Sequence, residues 1–191
     1  LYIRVQTQSA AQIPVQLFTQ EGFSEYNQKT LLIQGCYFGI ILAMILYNLF
    51  LFFSVRENYY LLYVFFTISY FCFQGILQGF FQQFLFDSVW WQNNGFLFFG
   101  CTSIFFANIF AISFLRLRST QPVIFFILWG FSAVAFIAVI SASFLPYILM
   151  VKLMLSLAIP SALTIMTVGF KLWWAGHLPA RIFTLAWSTL L

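Results

Sequence analysis

Residues 31–54 have the sequence LLIQGCYFGIILAMILYNLFLFFS, which contains no Asp, Glu, Lys or Arg. A helix needs about 20 apolar residues to cross bilayer hydrocarbon about 30 Å thick, so this stretch is long enough to span a membrane. Further uncharged runs cover residues 58–86, 88–115, 119–151 and 153–170, and the charged residues lie in the short gaps between them. The sequence therefore predicts an all-α polytopic membrane helix bundle.

Polar residues separate five full spans and the beginning of a sixth. The predicted full spans cover residues 31–54, 59–81, 95–115, 123–144 and 147–170, and a truncated sixth covers residues 179–191. Pro179 stands in the first turn of that sixth helix, where proline is favoured because its missing N–H would have no helical partner. The sequence starts at Leu1 and stops inside an apolar run, so we expect a piece of a longer protein.

Residues 1–29 differ in character from the region that follows. Apolar Leu1, Ile3 and Val5 alternate with more polar residues, which is the two-residue period of a half-buried strand. Residues 21–28 are mostly polar and are predicted to form a connector. The chain is thus divided into residues 1–29, the last strands and linker of a water-soluble β domain, and residues 30–191, the transmembrane bundle.

The composition excludes a soluble globular domain. Hydrophobic residues make up 63% of the chain and charged residues 6%, whereas soluble domains are about 45–50% apolar and about a quarter charged. The net charge of +4 comes from Lys and Arg residues scattered between apolar runs. Nucleic-acid binding needs a clustered basic patch, so nucleic acid is not a predicted partner and the lipid bilayer is.

The distribution of cations predicts the orientation. If residue 29 lies outside, the inner loops hold five Lys or Arg residues and the outer loops hold none; the inner ones are Arg56, Arg116, Arg118, Lys171 and Arg181. An excess of Lys and Arg in cytoplasmic loops sets membrane topology. Lys152 lies about one turn inside the outer end of the fifth span, where its long side chain can reach the headgroups. The amino end is therefore predicted outside.

Several segments of these spans resemble one receptor family. They are residues 34–50 (QGCYFGIILAMILYNLF), residues 56–63 (RENYYLLY), Phe114-Leu115, residues 144–147 (FLPY), residues 179–183 (PARIF) and Ala186-Trp187. Residues 31–191 resemble the transmembrane region of the bacterial 7TMR-DISM family, the seven-transmembrane receptors with diverse intracellular signalling modules. The stretch before them is similar to the end of that family's extracellular jelly-roll domain, which is related to carbohydrate-binding modules.

This resemblance implies a signal-transducing region in the bacterial inner membrane. An extracellular domain would bind a small molecule or carbohydrate, and a cytoplasmic module in the same protein, such as a kinase, cyclase or phosphatase, would supply the output, with a homodimer as one arrangement. The family has seven helices, whereas this sequence lacks most of helix six, helix seven and any output module. The alternative is a fragment of a transporter or channel, a class in which ionisable residues inside spans mark the transport path.

Amide side chains at membrane depth are the first candidates for a signalling role: Asn48, Gln74, Gln78 and Asn108. They could form a polar switch whose hydrogen bonds change partners, or act as interhelical hydrogen-bond contacts, which are worth about 0.6 kcal/mol on average. The second interpretation is the simpler one.

Helix-breaking and small residues suggest where helices bend or approach. Pro160 lies inside the fifth span and predicts either a hinge or a static kink. The pairs Gly35/Gly39 and Gly75/Gly79 satisfy G-x-x-x-G and predict close helix contacts. We interpret the 28 phenylalanines as lipid-facing residues.

No arrangement of residues indicates catalysis, so no catalytic, cofactor or metal site is assigned, the chain is not predicted to be an enzyme, and its ligand-binding residues are unknown. His177, the single histidine, has no Cys, Asp or Glu nearby in the sequence that could complete a metal site. Cys36, Cys72 and Cys101 are widely spaced inside or beside apolar runs, and we interpret them as small packing residues.

Overall fold

A computed structural model of the chain describes residues 19–81, 89–142 and 144–188. The chain divides into two compact units, Leu1–Gly39 and Ile40–Leu191. The helices in the described ranges are α1 (Gln20–Val55), α2 (Asn58–Leu77), α3 (Val89–Phe114), α4 (Leu117–Thr120), α5 (Pro122–Ser141), α6 (Tyr147–Trp174) and α7 (Leu178–Ser188). Those ranges contain no strand. The β strand predicted from the alternation of Leu1, Ile3 and Val5 lies outside the described residues.

Five of these helices, α1, α2, α3, α5 and α6, are long and apolar enough to cross a membrane. The predicted full spans are confirmed in number and order. α2 ends at Leu77 rather than at residue 81, and α6 continues to Trp174 rather than ending at residue 170. The start of the sixth predicted helix is seen as α7, which has 11 residues. That this helix begins a sixth span, truncated at residue 191, stays a prediction.

Within the first unit, α1 begins well before the predicted span. The amide of Gly22 donates to Thr19 Oγ1 at 3.2 Å, so the Thr19 hydroxyl caps the helix at its amino end. Glu21 falls in the first turn, where the helix dipole favours negative charge. Lys29 follows Glu25 by four residues, a spacing that stabilises a helix. The polar residues predicted to form a connector therefore belong to this helix.

Within the second unit, α3 is the central helix. It packs against α2, α5 and α6, and against the short α4, while α7 packs on α6. Half of the most apolar stretch of α3 is buried, against about a third or less for α2, α5 and α6. One buried cluster contains Leu97 and Cys101 of α3 with Met150 and Met154 of α6. A larger cluster gathers the other end of α3 with α2, α6 and α7.

Close helix approach occurs at glycines other than the predicted pairs. A Cβ added at Gly100 would lie 2.5 Å from Met154 Sδ, and one at Gly169 would lie 2.6 Å from Thr184 Oγ1. At Gly35 and Gly39 an added Cβ would meet nothing within 4 Å. Gly75 faces the ring of Phe81, and Gly79 has a φ of +74° just after α2. The contacts of α3 with α6 and of α6 with α7 therefore depend on Gly100 and Gly169.

We expect Gly169→Ala to lower the free energy of unfolding by about 1–3 kcal/mol, the usual cost of overpacking. Thr184 cannot easily move aside, because its hydroxyl donates to Ala180 O at 2.7 Å. The matched control is Gly130→Ala on α5, where an added Cβ would meet nothing within 4 Å. Thermal unfolding of the purified protein in detergent measures both. Equal stability of the two variants would contradict the close packing of α6 on α7.

Candidate functional site

An aromatic cluster joins three helices of the second unit. Its members are Tyr59, Tyr63 and Phe66 of α2, Phe110 and Phe114 of α3, and Phe183 and Trp187 of α7. Tyr63 meets Phe110 at a ring-centroid distance of 5.4 Å, and Phe66 stacks on Trp187 at 5.7 Å. Phe183 stacks on Phe114 at 5.6 Å. Each aromatic pair of this kind adds about 0.5–1.5 kcal/mol beyond simple burial, so the cluster binds α7 to α2 and α3.

The spacing of residues on α7 explains its docking. Phe183 and Trp187 are four residues apart and therefore lie on one face of the helix, with Ala180 and Thr184 beside them. Phe183 is 4% exposed, whereas the adjacent Ile182 is 71% exposed. α7 therefore presents a narrow face of aromatic and small residues to the other helices, and Ile182 lies on its exposed side.

This cluster corrects the interpretation of phenylalanine as lipid-facing. Phe66, Phe110 and Phe183 are buried and make ring contacts between helices. Sequence reasoning missed these residues because aromatic side chains in an apolar run do not reveal which face is buried. The spacing of Ala180, Phe183, Thr184 and Trp187, with a period near 3.6, was the available signal.

Asn108 of α3 is the unusual polar residue of the bundle. Its side chain is fully buried, and among the described residues neither Oδ1 nor Nδ2 has a hydrogen-bond partner. Leaving a buried donor or acceptor unsatisfied costs about 1–3 kcal/mol. The arrangement therefore carries a free-energy penalty that a different packing of the helices around α3 could relieve.

The other amides proposed from the sequence have different surroundings. Asn48 Nδ2 donates to Met44 O at 2.9 Å, and Gln74 Nε2 donates to Tyr70 Oη at 2.9 Å, in both cases within the same helix. Gln78 is the exposed residue that follows α2. These bonds do not link helices, so Asn108 is the amide whose position is suited to a packing switch.

Pro160 lies in the interior of α6, which continues on both sides of it. Thr164 Oγ1 donates to Pro160 O at 2.7 Å, and Ser161 Oγ donates to Ala158 O at 3.0 Å, so nearby hydroxyls bond to the backbone around the proline. Pro160 itself is exposed while Ser161 is buried. Hinge and static kink both remain predictions for this position.

A cleft of about 440 Å³ lies where α2 begins, α3 and α6 end, and α7 begins. Its polar lining includes Tyr59, Arg116, Ser119, Thr120 and His177. The backbone amide of His177 donates to Leu172 O at 3.1 Å, which closes the turn between α6 and α7. His177 thus belongs to a cleft beside the aromatic cluster, a placement that its position in the sequence did not indicate.

The cysteines and other possible metal ligands among the described residues do not come together in a metal site. Cys101 is buried, Cys72 is half-buried and Cys36 is exposed, and all three are free thiols. No group of three or more His, Cys, Asp or Glu side chains in the described ranges could hold a metal ion.

Comparison with known proteins identifies one family. A family model described as "7TM diverse intracellular signalling" matches residues 30–191, which is most of the chain. No curated protein and no solved structure matches the sequence.

Replacing Phe183 by Ala should weaken the attachment of α7 to α3, while its packing on α6 remains. We expect a loss of about 3–5 kcal/mol in the free energy of unfolding, the usual cost of removing a buried Phe side chain. Ile182→Ala on the exposed face is the matched control and should cost much less. Unfolding in detergent measures the loss of stability. The rate of proteolysis between α6 and α7 then reports how firmly α7 is held. Similar losses in the two variants would contradict the docking described above.

Replacing Asn108 by Leu should stabilise the bundle, because Leu has a similar size and leaves no buried polar atom unsatisfied. We expect the free energy of unfolding to rise by about 1–3 kcal/mol. Asn48→Leu, at a position that already has a hydrogen bond within α1, should not produce this gain. A destabilised Asn108→Leu protein would show that the amide has a partner under the conditions of the measurement.

Proposed function

Because this chain belongs to the 7TM diverse intracellular signalling family, we propose that it is the transducing region of a bacterial inner-membrane receptor. The chain is a multi-pass membrane protein, and its family indicates a membrane receptor or signalling region. We further propose that it relays ligand binding by an extracellular domain to a cytoplasmic module of the same protein. The observation that supports a relay best is the aromatic cluster, which ties α7 to α2 and α3.

The relay requires two arrangements of the same helices. A ligand can shift a conformational equilibrium only by its difference in affinity for the two states. In the observed arrangement Asn108 bears the cost of an unsatisfied buried amide, so a second arrangement that gives the amide a partner would lie close in free energy. We propose that repacking around α3 is the change that the extracellular ligand, a small molecule or carbohydrate, induces.

The direction of the relay follows from the charge pattern. We propose that the amino end lies outside and that α7 begins on the cytoplasmic side, since the five inner-loop cations and Lys152 fit that topology. In this orientation α7 starts at the cytoplasmic side, next to the loops that would face the output module, and runs back towards the outer side. A homodimer is the proposed assembly, and no catalytic role is proposed for the chain itself.

No observation in the described part of the chain supports the alternative, a fragment of a transporter or channel. The charged residues of α6, Lys152 and Lys171, are exposed on its surface. A transport path would require ionisable or polar groups at membrane depth to face a common cavity, whereas the polar cleft of this chain lies at the ends of the helices. The receptor proposal accounts for the buried aromatic contacts, which a transport path does not require.

The proposal is tested by fusing the intact membrane region to a diguanylate cyclase and exchanging the extracellular domain. Exchange should change cyclic dinucleotide production at least about fivefold, the lower range of allosteric coupling. Phe183→Ala should weaken this dependence because α7 follows α2 and α3 less closely, whereas Ile182→Ala should preserve it. Output that never responds to the extracellular domain, in a correctly inserted fusion, would refute the relay.

A further inference from the structure

The cleft beside the aromatic cluster combines a cation with apolar walls. Arg116 and His177 lie on its polar side, and Phe114, Leu115 and Leu172 contribute apolar surface. The two kinds of surface meet where the helices end, at the level where a membrane span gives way to its loops. Such a lining suits an amphiphilic molecule with a negatively charged group better than a purely polar or purely apolar one.

Arg116 adopts a backbone conformation that favours glycine. Its φ of 50° and ψ of 45° are left-handed, directly after α3, a position at which helices usually end in glycine. A side chain there is strained, and residues in sparsely populated conformations cluster at functional sites. Arg56 has a φ of 57° after α1 but does not line the cleft. The end of the helix therefore accounts for the left-handed conformation at both positions. The two arginines differ in that Arg116 lines the cleft and Arg56 does not.

The turn around Arg116 is held by two side chains of the cleft. Ser119 Oγ donates to Arg116 O at 3.0 Å, and Thr120 Oγ1 donates to the same oxygen at 3.1 Å. Both hydroxyl protons are thereby used within the turn, and the side-chain N–H groups of Arg116 and His177 are the donors offered to a ligand. Arginine presents five N–H donors in a planar fork that matches the geometry of a phosphate.

The charge of this end also favours an anion. Arg118 of α4, Lys171 in the last turn of α6 and Arg181 near the start of α7 lie at the same helix ends as the cleft, and Glu57 next to α2 is the acidic residue there among those described. The excess of positive charge raises the local concentration of anions.

We propose that this cleft binds a phosphate group, with Arg116 as its principal ligand and His177 as a second donor. The phosphate would be carried by the headgroup of an anionic phospholipid or by a soluble phosphate ester. Both share the charge and geometry that the arginine recognises, and the apolar walls would contact an attached acyl or other apolar group. This site does not depend on the relay proposed above.

The test measures retention of phosphatidylglycerol and phosphatidylcholine by the full chain in detergent, using native mass spectrometry. Arg116→Gly should raise the Kd for phosphatidylglycerol at least about tenfold, equivalent to about 1.4 kcal/mol. Glycine suits the left-handed conformation, so this variant should fold at least as well as the wild type. Arg56→Gly removes an equivalent cation outside the cleft and should leave the Kd within about twofold, well under that tenfold step.

Two further titrations, with inorganic phosphate and with glycerol 3-phosphate, distinguish the sources. If either displaces phosphatidylglycerol from the wild type but not from Arg116→Gly, the cleft accepts a soluble phosphate. If only the lipid binds, the headgroup is the ligand. Equal effects of Arg56→Gly and Arg116→Gly would mean that binding reflects general surface charge and would overturn the proposal, as would unchanged binding by Arg116→Gly.

Discussion

Hydrocarbon offers no hydrogen-bond partner to a backbone amide or carbonyl, so a chain that crosses it must satisfy those groups within its own helices. Five buried hydroxyls obey the same constraint, because each donates to a carbonyl three or four residues earlier in the same helix: Thr67, Ser69, Ser132, Ser161 and Thr184. Such bonds do not join helices. Association must therefore come from packing, which in lipid has little help from the hydrophobic effect.

The second unit achieves that packing in two ways. Gly100 and Gly169 let helices approach closely, since any added Cβ would collide with a neighbouring side chain. At the other extreme, large rings fill the space between α2, α3 and α7 and add directional contacts to simple burial. Asn108 lies in the same central helix without a described partner. A well-packed bundle with one unsatisfied amide at its centre is the kind of structure in which a small energetic bias can favour another arrangement.

The arginines that the apolar interior of the bundle excludes lie at the ends of the helices. Arg56 and Arg116 each follow the last turn of a helix, where the helix dipole favours a cation, although their left-handed backbone would suit glycine better. A cation at such a position costs some backbone stability, but it places a positive charge at the end of a span, at the membrane surface. In Arg116 that position coincides with a cleft, so the residue proposed to bind phosphate is also one of the cations on which the proposed topology rests.

The amino-acid sequence by itself determined the class of the protein, the number and order of its spans and the positions of its charged loops. These features follow from hydrophobicity and charge along the chain, because each segment's own hydrophobicity and charge decide whether it crosses the bilayer. It also carried the family resemblance, through local patterns such as residues 34–50.

The tertiary structure alone decided which glycines are crowded, which phenylalanines are buried and which amide lacks a partner. It also decided that His177 and Arg116 share a cleft. In a sequence that is apolar on every side of its helices, periodicity does not distinguish the lipid-facing surface from the packed one. Those features therefore depend on which faces of separate helices meet.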